Sequence, residues 1–124
     1  MTDKRRRISD WLRDIRQAID YAKEDVGAMS KAEFLADGKT QRAVIESIIV
    51  IGEASNRVMR QEPSIETANP GLWIQLREAH QMRNLITHEY HRADAAVVWD
   101  TVKIDLPSMD GLVSAYLGNP DEES

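Results

Sequence analysis

The feature that most restricts the fold is the spacing of the apolar residues, which step by three and four along most of the chain and never alternate for long. Ile8, Trp11, Leu12, Ile15, Ile19, Ala22 and Val26 predict a first helix over about 7–26, with Gly27 ending it. Ser30 and Glu33 have the spacing of a capping box ahead of Phe34 and Leu35, which predicts a short second helix. After Asp37-Gly38 the longest helix is expected over about 39–61. Val44, Ile48, Ile51 and Val58 form its stripe, flanked by Ile45, Ile49 and Met59. Gly52, Ala54 and Ser55 are small enough to let another backbone come close. Pro63 stops this helix, and the stretch to Asn69-Pro70-Gly71 reads as a loop. A fourth helix is expected from near Leu72 to about Tyr90. Asp94 is a candidate N-cap for a fifth, containing Val97, Val98, Trp99 and Val102. Pro107 interrupts the pattern, and Met109, Leu112, Val113 and Tyr116 mark a last helix. The expectation is one all-α domain over 1–124, an antiparallel bundle of about five to six helices, with ends fraying at about 1–6 and 118–124.

Composition narrows the function. No cysteine is present, which excludes disulfides and thiolate metal sites and suits a reducing cytoplasm, the expected location. The longest apolar run, Ile48-Ile49-Val50-Ile51, is far too short for a membrane span. Lys4-Arg5-Arg6-Arg7 has no apolar stretch behind it and is not a secretory signal. The formal net charge is −5, whereas a free-standing nucleic-acid binder is usually basic. Any RNA contact must come from a local surface, such as that basic block, or from a site assembled between subunits.

Chemistry concentrates in Met82-Arg83-Asn84-Leu85-Ile86-Thr87-His88-Glu89-Tyr90-His91. With His80 at zero on a helical wheel, His91 falls near 20°, Asn84 near 40° and His88 near 80°. Thr87 falls near 340° and Arg83 near 300°, so the six polar groups share an arc of about 140°. Arg83 and His88 stand at its opposite edges. A ligand must lie across the helix to touch both, or a second chain must complete the site. Arginine can clamp a phosphate and stabilise charge building on it, and histidine can pass a proton either way near neutrality. The pair suffices for RNA cleavage without a metal, with His88 activating the 2′-hydroxyl or protonating the leaving oxygen and Arg83 holding the phosphorane.

Arg83-Asn84-Leu85-Ile86-Thr87-His88-Glu89-Tyr90 resembles the R-x4-H-x-Y motif of HepT-like toxins, a branch of the HEPN superfamily of α-helical ribonucleases. The likeness extends through Arg42-Ala43-Val44, Ile51-Gly52-Glu53-Ala54, Met82-Arg83-Asn84, Val98-Trp99-Asp100 and Asp105-Leu106-Pro107, over about residues 8–117. It implies an HEPN-like fold, and a homodimer whose facing motif helices form a shared ribonuclease cleft. It implies Arg83 and His88 as the catalytic pair, with Asn84 assisting. It further implies that a partner MntA-like nucleotidyltransferase antitoxin, using ATP and Mg²⁺, silences the toxin by AMPylating Tyr90. The chain itself would need no cofactor. Negative charge and bulk at Tyr90 would keep RNA out of the cleft.

Plainer readings stand beside these. Arg83 and His88 could cap and coat a surface helix, and Tyr90 could be a packed aromatic with its hydroxyl at the surface. Glu53 could pair with Arg57 one turn on, or could orient Arg83 or His88 from the edge of the core. His80, His88 and His91 lack the H-E-x-x-H spacing of a metal site; His80, Thr87 and His91 read as rim residues able to touch RNA. Trp11, Trp73 and Trp99 sit in apolar patterns that suit a core or interface. The alternative to an enzyme is a non-catalytic helical dimer that docks a nucleotidyltransferase or a nucleotide.

Overall fold

The computed structural model describes residues 3–88 and 94–118. Every regular element among them is helical: α1 (Asp3–Val26), α2 (Lys31–Leu35), α3 (Gly38–Gln61), α4 (Ile65–Ala68), α5 (Pro70–His88), α6 (Ala95–Asp100) and α7 (Leu106–Leu117), with a single π-helical segment, Thr101–Asp105, joining the last two.

Local chemistry sets the ends. Gly27 closes α1 at φ +53°, a left-handed conformation in which its N–H reaches the carbonyl of Lys23 at 2.8 Å. The capping box of α2 forms as its spacing predicts: Ser30 Oγ accepts from the Glu33 N–H, and the Glu33 carboxylate accepts from the Ser30 N–H. Asp37 caps α3 through the Thr40 N–H, and Asp94 caps α6 through the Ala96 N–H.

Four boundaries differ from the sequence expectation. α1 reaches back through Lys4-Arg5-Arg6-Arg7 to Asp3, because basic residues on an exposed face continue a helix at little cost. The loop after Pro63 contains the single turn α4, which Ile65 pins by burying its side chain. α5 starts at Pro70 instead of Leu72, since proline at a first helical position lacks only an N–H that would go unpaired anyway, and Asn69 Oδ1 accepts from the Leu72 N–H. Pro107 does not end the helical path. It has no N–H for the carbonyl of Lys103, the turn before it widens so that Leu106 donates to Thr101, and α7 begins with the proline in its first turn.

α3 is the central helix, with α1 packed on one side and α5 on the other, and α7 lying against both α1 and α5. α3 and α5 run antiparallel, because the eight residues between them include a helical turn and cannot retrace a helix of about 28 Å. One contiguous apolar core runs from Ile8, Leu12, Ile15 and Ile19 of α1 through Val44, Ile48, Ile51 and Val58 of α3 to Leu72, Leu76 and Ile86 of α5 and Val113 of α7. The tryptophans pack against it, and Trp99 meets the buried Phe34 ring at 5.5 Å. No described helix is long and apolar enough to cross a membrane.

Candidate active site

The core-facing positions of α5 follow a four-three spacing, Leu72, Leu76, Ala79, Arg83 and Ile86. Leu72, Leu76 and Ile86 are essentially fully buried, so Arg83 occupies a position that the pattern assigns to an apolar side chain. α3 makes room for it. A methyl group on Gly52 would stand 2.2 Å from Arg83 Cβ and 2.7 Å from the carbonyl oxygen of Ala79, so the glycine is what lets the two helices meet here. Ser55, one turn further along α3, is small and fully buried.

The arginine head emerges from this seam with its side chain 31% exposed, and two partners hold it. Nη2 donates to Glu53 Oε1 at 3.5 Å across the helix pair, and Nη1 donates to Asn84 Oδ1 at 3.1 Å on its own helix. Each Nη carries a second hydrogen, so the fork can still take a phosphate oxygen. The Glu53 carboxylate crosses to Arg83, and among the described ion pairs none joins it to Arg57. With the two side chains 31% and 42% exposed, water screens this pair; it fixes geometry more than it stabilises the fold.

His80 and Asn84 lie one turn apart along the flank of α5 and are joined by a contact of 3.3 Å between Nε2 and Nδ2. Glu53, Arg83, Asn84 and His80 therefore make one connected polar line. Ser55 Oγ, His80 Nδ1 and Arg83 Nε are buried without a hydrogen-bond partner among the described residues. Thr87 turns its hydroxyl back onto the carbonyl of Asn84 at 3.2 Å, and His88, the last described residue of α5, is exposed. The structure thus gathers Arg83, Asn84, His80 and Glu53, while His88 stands apart on the solvent side. Tyr90 and His91 lie outside the described residues. Two things were missed in the sequence: the core seat of Arg83, which the four-three spacing could have disclosed, and the tie of His80 to Asn84, which the i, i+4 spacing allows but does not single out.

On the other flank of α5, Met82 and Leu85 line an apolar groove of about 290 Å³ with Ile48, Ile51, Val97 and Met109. Leu85 is 50% exposed and Val97 46%, so the groove presents large apolar side chains to solvent beside the polar line.

This is the site of an all-α protein with an arginine and a histidine five residues apart on one helix. The family model described as Ribonuclease HepT-like matches residues 15–115, and the chain belongs to that family. It is 37% identical over 107 residues to the protein named "Probable ribonuclease HepT" of Thermococcus cleftensis, covering 86% of this chain and 93% of that relative. A chain of Caldanaerobacter subterraneus subsp. tengcongensis, provisionally named an RNase, is 26% identical, with 86% and 91% covered. One from Methanocaldococcus jannaschii, also provisionally named an RNase, is 29% identical, with 86% and 80% covered. No solved structure matches.

Proposed function

We propose that the chain is a metal-independent endoribonuclease of the HEPN type, the toxin of a type VII-like toxin–antitoxin pair, acting as a homodimer. The observation that carries this is the seating of Arg83. An apolar residue there would serve the core better, yet the chain places a guanidinium in the seam, anchors it through Glu53 and Asn84, and leaves its outer face open.

In the reaction the 2′-hydroxyl of a ribose attacks the adjacent phosphorus, the P–O5′ bond breaks, and a 2′,3′-cyclic phosphate and a 5′-hydroxyl result. Arg83 binds the phosphate and stabilises the charge that grows on its oxygens. His88 removes the 2′ proton or delivers one to the departing O5′. Because Arg83 and His88 stand about 140° apart around α5, a dimer that brings His88 of the partner subunit to the cleft of Arg83 supplies the pair, and water takes or gives the other proton. Asn84 assists by holding the guanidinium, and Glu53 orients it. On this reading His80, Thr87 and His91 would be the rim residues able to touch RNA. The apolar groove beside the motif supports association of chains.

Regulation follows from Tyr90, two residues beyond His88. A partner nucleotidyltransferase would join its phenolic oxygen to the α-phosphorus of ATP with Mg²⁺, releasing pyrophosphate. The added anion would repel RNA from the cleft.

The test is incubation of purified chain, confirmed unmodified by intact mass, with bulk tRNA and mRNA in EDTA. Wild type should cleave and His88→Ala should not, with unchanged helix content by circular dichroism. Cleavage by His88→Ala would remove that residue from the chemistry. A folded, unmodified dimer that cuts nothing would favour the docking module, which the net charge of −5 suits better.

A further inference from the structure

We infer that His80 is a positioning residue for Arg83: a neutral imidazole with its proton on Nδ1, whose bare Nε2 fixes the Asn84 amide and through it one end of the guanidinium. The consequence for rate rests on the ribonuclease reading; the protonation pattern does not.

The argument is one of donors and acceptors. A guanidinium only donates, so the group that faces Arg83 Nη1 at 3.1 Å must be the oxygen of the Asn84 amide. The amide nitrogen then faces His80 Nε2 at 3.3 Å. That nitrogen only donates as well, so Nε2 must accept and carries no proton. The proton of the neutral ring sits on Nδ1, which is buried. The opposite tautomer would set two N–H groups against each other, as would any form with a proton on Nε2.

The same logic gives His80 its work. Without His80, only the contact with Arg83 itself selects the orientation of the Asn84 amide, whose two ends are nearly equal in shape. Turned over, it would present its NH₂ to Nη1 and release that arm of the fork, leaving the guanidinium tied only to Glu53 at 3.5 Å. The acceptor at His80, one helical turn away, removes that freedom. The arginine is thus held at both ends, by a carboxylate on α3 and by an oriented amide on α5.

The measurement that decides the tautomer is a long-range ¹H–¹⁵N spectrum of the histidine rings of the full chain at about pH 8, with His80 assigned by its loss in His80→Leu. Protonated Nδ1 and bare Nε2 are expected, the reverse of the form that free histidine prefers in water. Asn84→Asp, which can only accept, should switch His80 to Nε2–H. Finding Nε2–H in the wild type overturns the inference. For the positioning role, RNA cleavage is compared in His80→Gln, whose side-chain oxygen can still accept, and His80→Leu, which offers nothing. His80→Gln should stay within about threefold of wild type, and His80→Leu should lose roughly tenfold or more in kcat with KM little changed. Equal losses in both would overturn the role. A wild-type chain that cleaves no RNA would fail the ribonuclease reading instead, and the tautomer would then decide the inference by itself.

Discussion

At the scale of single residues, the contest is between what the core wants at one position and what the site needs there. Arg83 sits in line with Leu76 and Ile86, and two neighbours on α3 make this tolerable in different ways: Gly52 gives space, and Glu53 gives a counter-charge. Substituting each should separate the two roles. Gly52→Ala drives a methyl group against Arg83 Cβ and the Ala79 carbonyl, neither of which is the free end of a flexible side chain, so α3 and α5 must part. A loss of about 1–3 kcal/mol is expected in urea unfolding, together with a loss of cleavage, because the guanidinium moves with its backbone. Glu53→Gln should behave differently. The pair is half in water and contributes at most about 1 kcal/mol, so the urea midpoint should hardly move. Cleavage should nonetheless fall by roughly tenfold, since a neutral amide oxygen holds the guanidinium less firmly than a carboxylate and a misdirected arginine loses transition-state contact. Wild-type turnover by Glu53→Gln would show that an uncharged acceptor suffices at this position. The space at Gly52 was legible in the sequence, as a run of small residues on an apolar helix. The crossing of Glu53 was not, because Arg57 offers an equally good partner until the fold sets α5 alongside.

At the scale of elements, most helix ends could be read because each depends on two or three adjacent residues. Ser30 with Glu33, Asp37, Gly27 and Asp94 all act where their spacing puts them. The π segment and α4 could not be read, since both answer to tertiary packing: one rejoins two helices across a proline, the other is pinned by a single buried isoleucine. The caps carry a pH dependence. The Glu33 carboxyl is held below its usual range by the hydrogen bond from the Ser30 backbone, and that of Asp37 by the one from the Thr40 backbone. A folded-state value below the unfolded one means stability fully present above the ordinary carboxylate range and lost as pH falls through the lowered folded value. The urea midpoint should therefore decline on acidification through and below about pH 4, and Asp37→Asn, which keeps a capping oxygen, should flatten part of that decline. Ser30→Ala should cost about 1 kcal/mol near neutral pH. An Asp37→Asn chain with the wild-type acid profile would show that this cap is broken in solution.

At the scale of the whole molecule, the decisive fact is that Arg83 and His88 do not share a face. Arg83 points into the seam with α3, whereas His88 is exposed, about 140° around the same helix. A long arginine side chain narrows that separation but is here tied back by Glu53 and Asn84. Either a nucleotide wraps across α5, or each working site takes its arginine from one chain and its histidine from another. The second arrangement also answers the charge problem: a chain with net charge −5 draws RNA weakly, and a cleft between two motif helices doubles the local cations where the phosphate must sit. It makes a sharp forecast. Arg83→Ala and His88→Ala chains, each inactive alone, should regain activity when unfolded together and refolded as mixed dimers. Random pairing makes half of the dimers mixed, and each mixed dimer has one intact arginine–histidine pair out of two, so about a quarter of wild-type activity should return. Mixed dimers verified by mass that remain inactive would put both groups of each site on one chain. The substrate would then have to cross α5, and the exposed flank from Thr87 to His88 would become the next place to look for contacts with RNA.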